Sequence, residues 1–125
     1  MNLLLDTHVL LWWLADDAAL KTEAREAIGF PSNTIFVSAA SAWEISIKTA
    51  LGKLDAPDDL QAALSVNNFQ PLPITILHGI EAGRLPRHHD DPFDRMLIVQ
   101  AQAEQLTLVT HDALFQPYGV SIVWS

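Results

Sequence analysis

The feature that most constrains this chain is the alternation of short apolar runs with longer stretches of helical spacing. The runs at 2–5, 35–37, 106–109 and 120–123 are too short to be helices, and each is bounded by polar or turn-forming residues. Strand followed by helix, repeated with short connections, calls for a parallel sheet joined by right-handed crossovers and covered by helices on both faces. The expected fold is therefore α/β: one domain over residues 1–125, with a short parallel sheet of about four to five strands. In such sheets ligands gather outside the carboxyl ends of the strands.

The helical stretches follow from the same spacing. Residues 8–16, which Thr7 can cap, are apolar on nearly every side through Val9, Leu10, Leu11, Trp12, Trp13 and Leu14, so this helix needs cover on more than one face. Trp12 and Trp13 point about 100° apart, which places one on the sheet and the other against a partner or a neighbouring helix, unless both are ordinary core. Further helices are expected at 20–28, stopped by Gly29, and at 38–51, stopped by Gly52. In the latter, Trp43, Ile47, Ala50 and Leu51 share one face, with Leu54 packing beyond the stop, while Glu44 and Lys48 sit beside it at i, i+4. Residues 57–66 and 75–85 read as two more helices, and Pro71 and Pro73 reduce 69–74 to an edge strand or a very short one. A helix from 92 to about 105 and a short one at 113–115 complete the pattern.

At 125 residues the chain can bury roughly two-thirds of its unfolded surface without staples. The absence of cysteine excludes disulfides, thiolate metal sites and cysteine nucleophiles. The start MNLLLD has no basic leader, and the apolar run at 9–15 is too short for a bilayer, so the expectation is a cytoplasmic protein with no membrane partner. Half of the residues are hydrophobic, which suggests that a partner covers some of the apolar surface. The net charge of −8 opposes a broad phosphate-binding surface. Only Lys48, Lys53, Arg84, Arg87 and Arg95 stand near the acidic residues, so affinity for nucleic acid through basic side chains alone should be weak.

Chemistry concentrates in HHDDPFDRML at 88–97. Asp91 followed by Pro92 reads as a helix N-cap and first helical residue, and Asp94 then falls in the first turn. Asp6 follows the first strand and Asp112 the run at 106–109, while Glu44 lies under two turns into the helix that leaves Ser38. Singly each acid has a capping explanation: Asp6, Asp94 and Asp112 at helix starts, Glu44 in a Ser41 to Glu44 capping box. Together they fall at one edge of one sheet. Carboxylates about 6 Å apart at an effective dielectric near 20 repel by on the order of 3 kcal/mol per pair, so such a cluster implies a resident cation. Oxygen donors without cysteine favour Mg²⁺ or Mn²⁺. Such an ion activates water and neutralises charge on a phosphoryl oxygen, which points to phosphodiester hydrolysis with one ion or two.

The segments LLLDTHVLLWWL, VSAASAWEISIKTALGKL, HHDDPFDRMLIVQAQAEQLTLVTHD and FQPYGV resemble, in order and spacing, a PIN-domain ribonuclease (named for the PilT N-terminus) of the VapC toxin type. The resemblance covers nearly the whole chain. It implies a Mg²⁺- or Mn²⁺-dependent endoribonuclease, usually a homodimer, neutralised by a cognate antitoxin whose C-terminal segment lies in the active-site groove. The family's acidic centre falls on Asp6, Glu44, Asp94 and Asp112, and its hydroxyl positions on Thr7 and Thr110. By this analogy Asp6, Asp94 and Asp112 hold metal directly or through water, and Glu44 completes the second side. Asp91 is structural, the N-cap that aims Asp94, and Arg95 either contacts phosphate or pairs with an acid.

His88 and His89 are expected in a solvated loop rather than against substrate, and His8 and His111 flank the site as bystanders. His111-Asp112 superficially resembles the HD phosphohydrolases, which need a further upstream histidine and an all-helical fold. Two competing readings stand beside the nuclease. One is a non-catalytic binding module whose acids are structural. The other is a metal-dependent phosphatase related to the haloacid dehalogenases, which carry a second Asp where His8 stands here.

Overall fold

The computed structural model describes residues 1–125. The chain runs β1 (Asn2–Leu5), α1 (Thr7–Leu14), α2 (Thr22–Gly29), β2 (Thr34–Ser38), α3 (Ala39–Ala50), α4 (Leu60–Val66), β3 (Gln70–Leu72), α5 (Ile76–Arg84), α6 (Pro92–Glu104), β4 (Thr107–Thr110), a 3₁₀ turn (Ala113–Tyr118) and β5 (Ile122–Trp124). All five strands are parallel, in the order β3-β2-β1-β4-β5. The chain starts at the middle strand, builds outward through β2 and β3, then returns to the other side of β1 for β4 and β5. The order therefore reverses between β1 and β4, the switch point outside which α/β sheets bind ligands.

The pleat explains why helices lie on both faces. In β1, Leu3 and Leu5 pack with Val9, Leu10, Ile35, Val37, Ile45 and Val109 in one core. Leu4 points the other way, into a second core with Leu97, Ile98, Ala101, Leu108 and Phe115. A strand buried on both faces reads as an unbroken apolar run, which is what Leu3-Leu4-Leu5 is. β3 is a short edge strand, as Pro71 within it and Pro73 just beyond it require.

Local differences have identifiable causes. Asp6, not Thr7, caps α1, its carboxylate accepting from His8 N at 3.1 Å. Ser38 caps α3, so Ser41 lies inside that helix and the Ser41 to Glu44 capping box does not form. α4 starts at Leu60 because Asp59 is the residue whose side chain reaches Ala62 N. α3 stops where expected: Gly52 has φ of 72°, the left-handed conformation that closes a helix. The shared face of α3 is largely open: Trp43 and Leu51 are each 63% exposed, and Trp43 meets Phe93 edge-on, with ring centroids 5.5 Å apart. Trp12 and Trp13 both lie against the first core, Trp13 Nε1 donating to Asn67 Oδ1 at 2.9 Å. No helix is long and apolar enough to cross a membrane.

Candidate metal centre

Pairing of β1 with β4, Leu5 opposite Val109, brings the two strand ends side by side. Asp6 N–H then bonds Val109 O at 3.0 Å, holding the acid just beyond the sheet. Asp6 is buried, and its Oδ2 accepts from Thr110 Oγ1 at 2.6 Å. The same hydroxyl accepts from Asp112 N at 3.0 Å, so Thr110 ties the acid after β1 to the acid after β4. Thr7 is freed from capping and donates to Ser41 Oγ at 2.9 Å, pinning the start of α1 to α3. Both hydroxyls thus fix elements that carry acids.

α3 delivers Glu44, which is buried. Its Oε2 accepts from Lys48 Nζ at 2.5 Å, whereas Oε1 is buried with no hydrogen-bond partner. α6 delivers Asp94. Asp91 Oδ1 accepts from Phe93 N at 2.8 Å and Asp94 N at 3.1 Å, and Pro92 occupies the first helical position. Asp112 caps the 3₁₀ turn through Oδ1 to Leu114 N at 2.9 Å. The capping roles are real for Asp6, Asp91 and Asp112, and they fix the orientation of these carboxylates.

Electrostatics show how closely the acids converge. Burial first, then the negative charges of Asp6, Asp91, Glu44 and Asp112, push the Asp94 carboxyl up to about 8. Burial also pushes Asp6 upward, against the Thr110 and His8 hydrogen bonds that favour its charged form. A carboxyl that holds its proton near neutral pH, beside a buried oxygen with no donor, marks a site short of positive charge. Oxygen donors in this setting fit a hard divalent cation, which would take the proton's place.

The structure brings Asp6, Glu44, Asp94 and Asp112 together and adds a residue assigned to solvent on sequence. His89 is buried, with Nε2 at 2.8 Å from Asp94 Oδ2 and 3.2 Å from Asp112 Oδ2. The available signal was position: just upstream of an N-cap, a side chain can reach back over the first helical turn. His8 and His111 pack with Trp12, the His111 and Trp12 ring centroids lying 4.8 Å apart.

Arg95 neither pairs with an acid nor points to a phosphate site. Its guanidinium donates to the carbonyls of Ala82 and Leu85 at 2.8 Å, His89 at 3.0 Å and Pro86 at 3.1 Å. The planar fork closes the end of α5 against α6. Of the other cations near the acids, Lys48 faces Glu44, Arg84 faces Glu81 and Arg87 faces Asp90.

Fold and site together define a doubly wound α/β domain with an acidic centre at its switch point. The model of the PIN domain matches residues 3–119, and the chain belongs to that family. No curated protein matches it in sequence. Several solved structures share the fold, among them the following three. VapBC2 from Rickettsia felis, bound to a DNA fragment from its promoter, aligns at 16% identity over 99% of this chain and 98% of that one, with a TM-score of 0.72. DNA-bound VapBC from Salmonella typhimurium gives 17%, 99%, 98% and 0.68. FitAcB from Neisseria gonorrhoeae gives 18%, 96%, 95% and 0.61.

Proposed function

We propose that this protein is a Mg²⁺- or Mn²⁺-dependent endoribonuclease, the toxin of a type II toxin–antitoxin pair of the VapC type. The observation that carries this reading is the buried charge deficit: Glu44 Oε1 has no partner, and the charges of Asp6, Asp91, Glu44 and Asp112 all bear on the Asp94 carboxyl. Asp6, Asp94 and Asp112 would hold the ion, and Glu44 would complete the second side. When bound, the ion would activate the attacking water and neutralise charge on the phosphoryl oxygen. The chain's own part is orientation: Thr110 fixes Asp6, and Asp91 aims Asp94 from the start of α6.

Similarity to VapBC and FitAcB supports a cognate antitoxin as partner, and the exposed apolar surface supports a homodimer as the assembled state. The apolar surface agrees with both. Trp43, Leu51, Ile76 and Leu77 are exposed, and beside them Trp43, Ile74, Phe93 and Met96 help line a cavity of about 470 Å³. Cellular RNA as substrate assigns the protein to the cytoplasm. Few cations remain for phosphate contact, so substrate would be held through the ion more than through a basic surface.

The test is cleavage of single-stranded RNA by purified protein. Cleavage should require Mg²⁺ or Mn²⁺, and Asp94→Asn should lower it at least about 100-fold, or about 2.7 kcal/mol of transition-state stabilisation. Cleavage that persists in EDTA would contradict the reading.

A further inference from the structure

The donor atoms of His89, Asp94 and Asp112 lie within 4.8 Å of one another, which makes three metal ligands the simplest interpretation. The hydrogen bonds around the imidazole oppose it. Nε2 faces two carboxylate oxygens, while Nδ1 accepts from Asp91 N–H at 3.3 Å. A neutral imidazole carries one N–H, and a nitrogen that receives a hydrogen bond is not the one that carries it. The proton is therefore on Nε2, which has no lone pair left for a cation.

We propose that His89 is a positioning residue: its Nε2–H clasps the carboxylates of Asp94 and Asp112 and aims their remaining lone pairs at the ion, without ligating it. The ion in this statement rests on the reading given under Proposed function, whereas the clasp itself does not. Asp94 comes from α6 and Asp112 from the turn after β4, so no local geometry sets their separation. Once the ion has displaced the Asp94 proton, a neutral donor between the two carboxylates steadies both without adding a positive charge that would compete with the cation.

The ring is held from several sides. His89 N–H donates to the Tyr118 hydroxyl at 2.9 Å, and that hydroxyl donates to Pro86 O at 2.6 Å. The His89 carbonyl accepts from Arg95 Nη1 at 3.0 Å, and the ring meets Phe115 edge-on with centroids 5.6 Å apart. Asp91 serves twice, capping α6 with its carboxylate and fixing the tautomer with its main-chain N–H. Phe115 and Tyr118 both lie in the 3₁₀ turn that Asp112 starts. The closing FQPYGV segment and Arg95 thereby acquire a role, as the frame of this imidazole.

Long-range proton–nitrogen NMR on the metal-free protein reads the tautomer of His89 directly. The Nε2–H form is expected, and an Nδ1–H form would overturn the clasp. Calorimetric titration with Mn²⁺ then tests the aiming role: His89→Ala should weaken binding about 10- to 100-fold, the usual size of such support. His89→Gln, which keeps an N–H donor, should recover most of that loss and carries the test if the alanine variant does not fold. Equal affinity of wild type and His89→Ala would overturn the proposal. So would a directly bound imidazole nitrogen in the spin-echo spectrum of the Mn²⁺ protein. Failure of the wild type to bind Mn²⁺ would overturn the metal reading and the aiming role together, which the tautomer measurement distinguishes from failure of the clasp.

Discussion

Asp94 and Thr110 show what single residues contribute to a charged centre. In the metal-free protein the native Asp94 carboxyl, at about 8, binds its proton more tightly than an unfolded carboxyl at the ordinary 3.8. Stability from this group is fully present below the unfolded value and is lost as pH rises through the native one. In EDTA, therefore, the melting temperature of the wild type should fall between about pH 4 and pH 8, and Asp94→Asn should flatten that slope. Mn²⁺ at pH 8 should restore the wild type and leave the variant unchanged, which a thermal-shift series would check. Thr110→Val removes a hydroxyl that donates to Asp6 and accepts from Asp112 N. Loss of those buried bonds should cost about 1–3 kcal/mol in denaturant unfolding and weaken Mn²⁺ binding as well. Position upstream of the N-cap is the one sequence signal for His89, and its burial is not encoded locally because it depends on Tyr118, Phe115 and Asp112, all more than twenty residues away.

At the scale of elements, local rules were legible and tertiary choices were not. Asp91-Pro92 specifies the start of α6 by itself, and the result agrees with the sequence. Asp6 and Thr7 are both good caps, and only the contact between Thr7 and Ser41, thirty-four residues away, leaves capping to Asp6. Periodicity likewise shows that Trp43, Ile47 and Leu51 share a face but not what covers it. Arg95 follows the same pattern, because its four carbonyl acceptors belong to the end of α5 and the loop after it. Arg95→Lys should therefore not substitute, since a single ammonium cannot reproduce the fork. Either Arg95→Lys or Arg95→Ala should destabilise the protein by about 2 kcal/mol in urea unfolding. A phosphate-binding Arg95 would instead raise KM with stability intact.

Across the whole molecule, the strand-helix alternation carried the fold class, the parallel sheet and the placement of acids at one edge. What the alternation does not encode is strand order, and it is the reversal between β1 and β4 that brings Asp6 and Asp112 together. The high apolar content finds its counterpart in the bare face of α3 and α5. If that face joins two copies, Trp43→Glu should weaken self-association at least about tenfold in sedimentation, as expected for a buried interfacial tryptophan. The variant subunit should remain folded, because Trp43 is already 63% exposed, while the melting temperature should lose its dependence on protein concentration. The acidic centre itself is tested most directly by anomalous diffraction from a crystal soaked in Mn²⁺. A manganese peak is expected with carboxylate oxygens of Asp6, Asp94 and Asp112 at about 2.1 Å or one water away, and with His89 Nε2 outside bonding distance. An empty acid cluster at saturating Mn²⁺, or a manganese bound elsewhere on the surface, would contradict it.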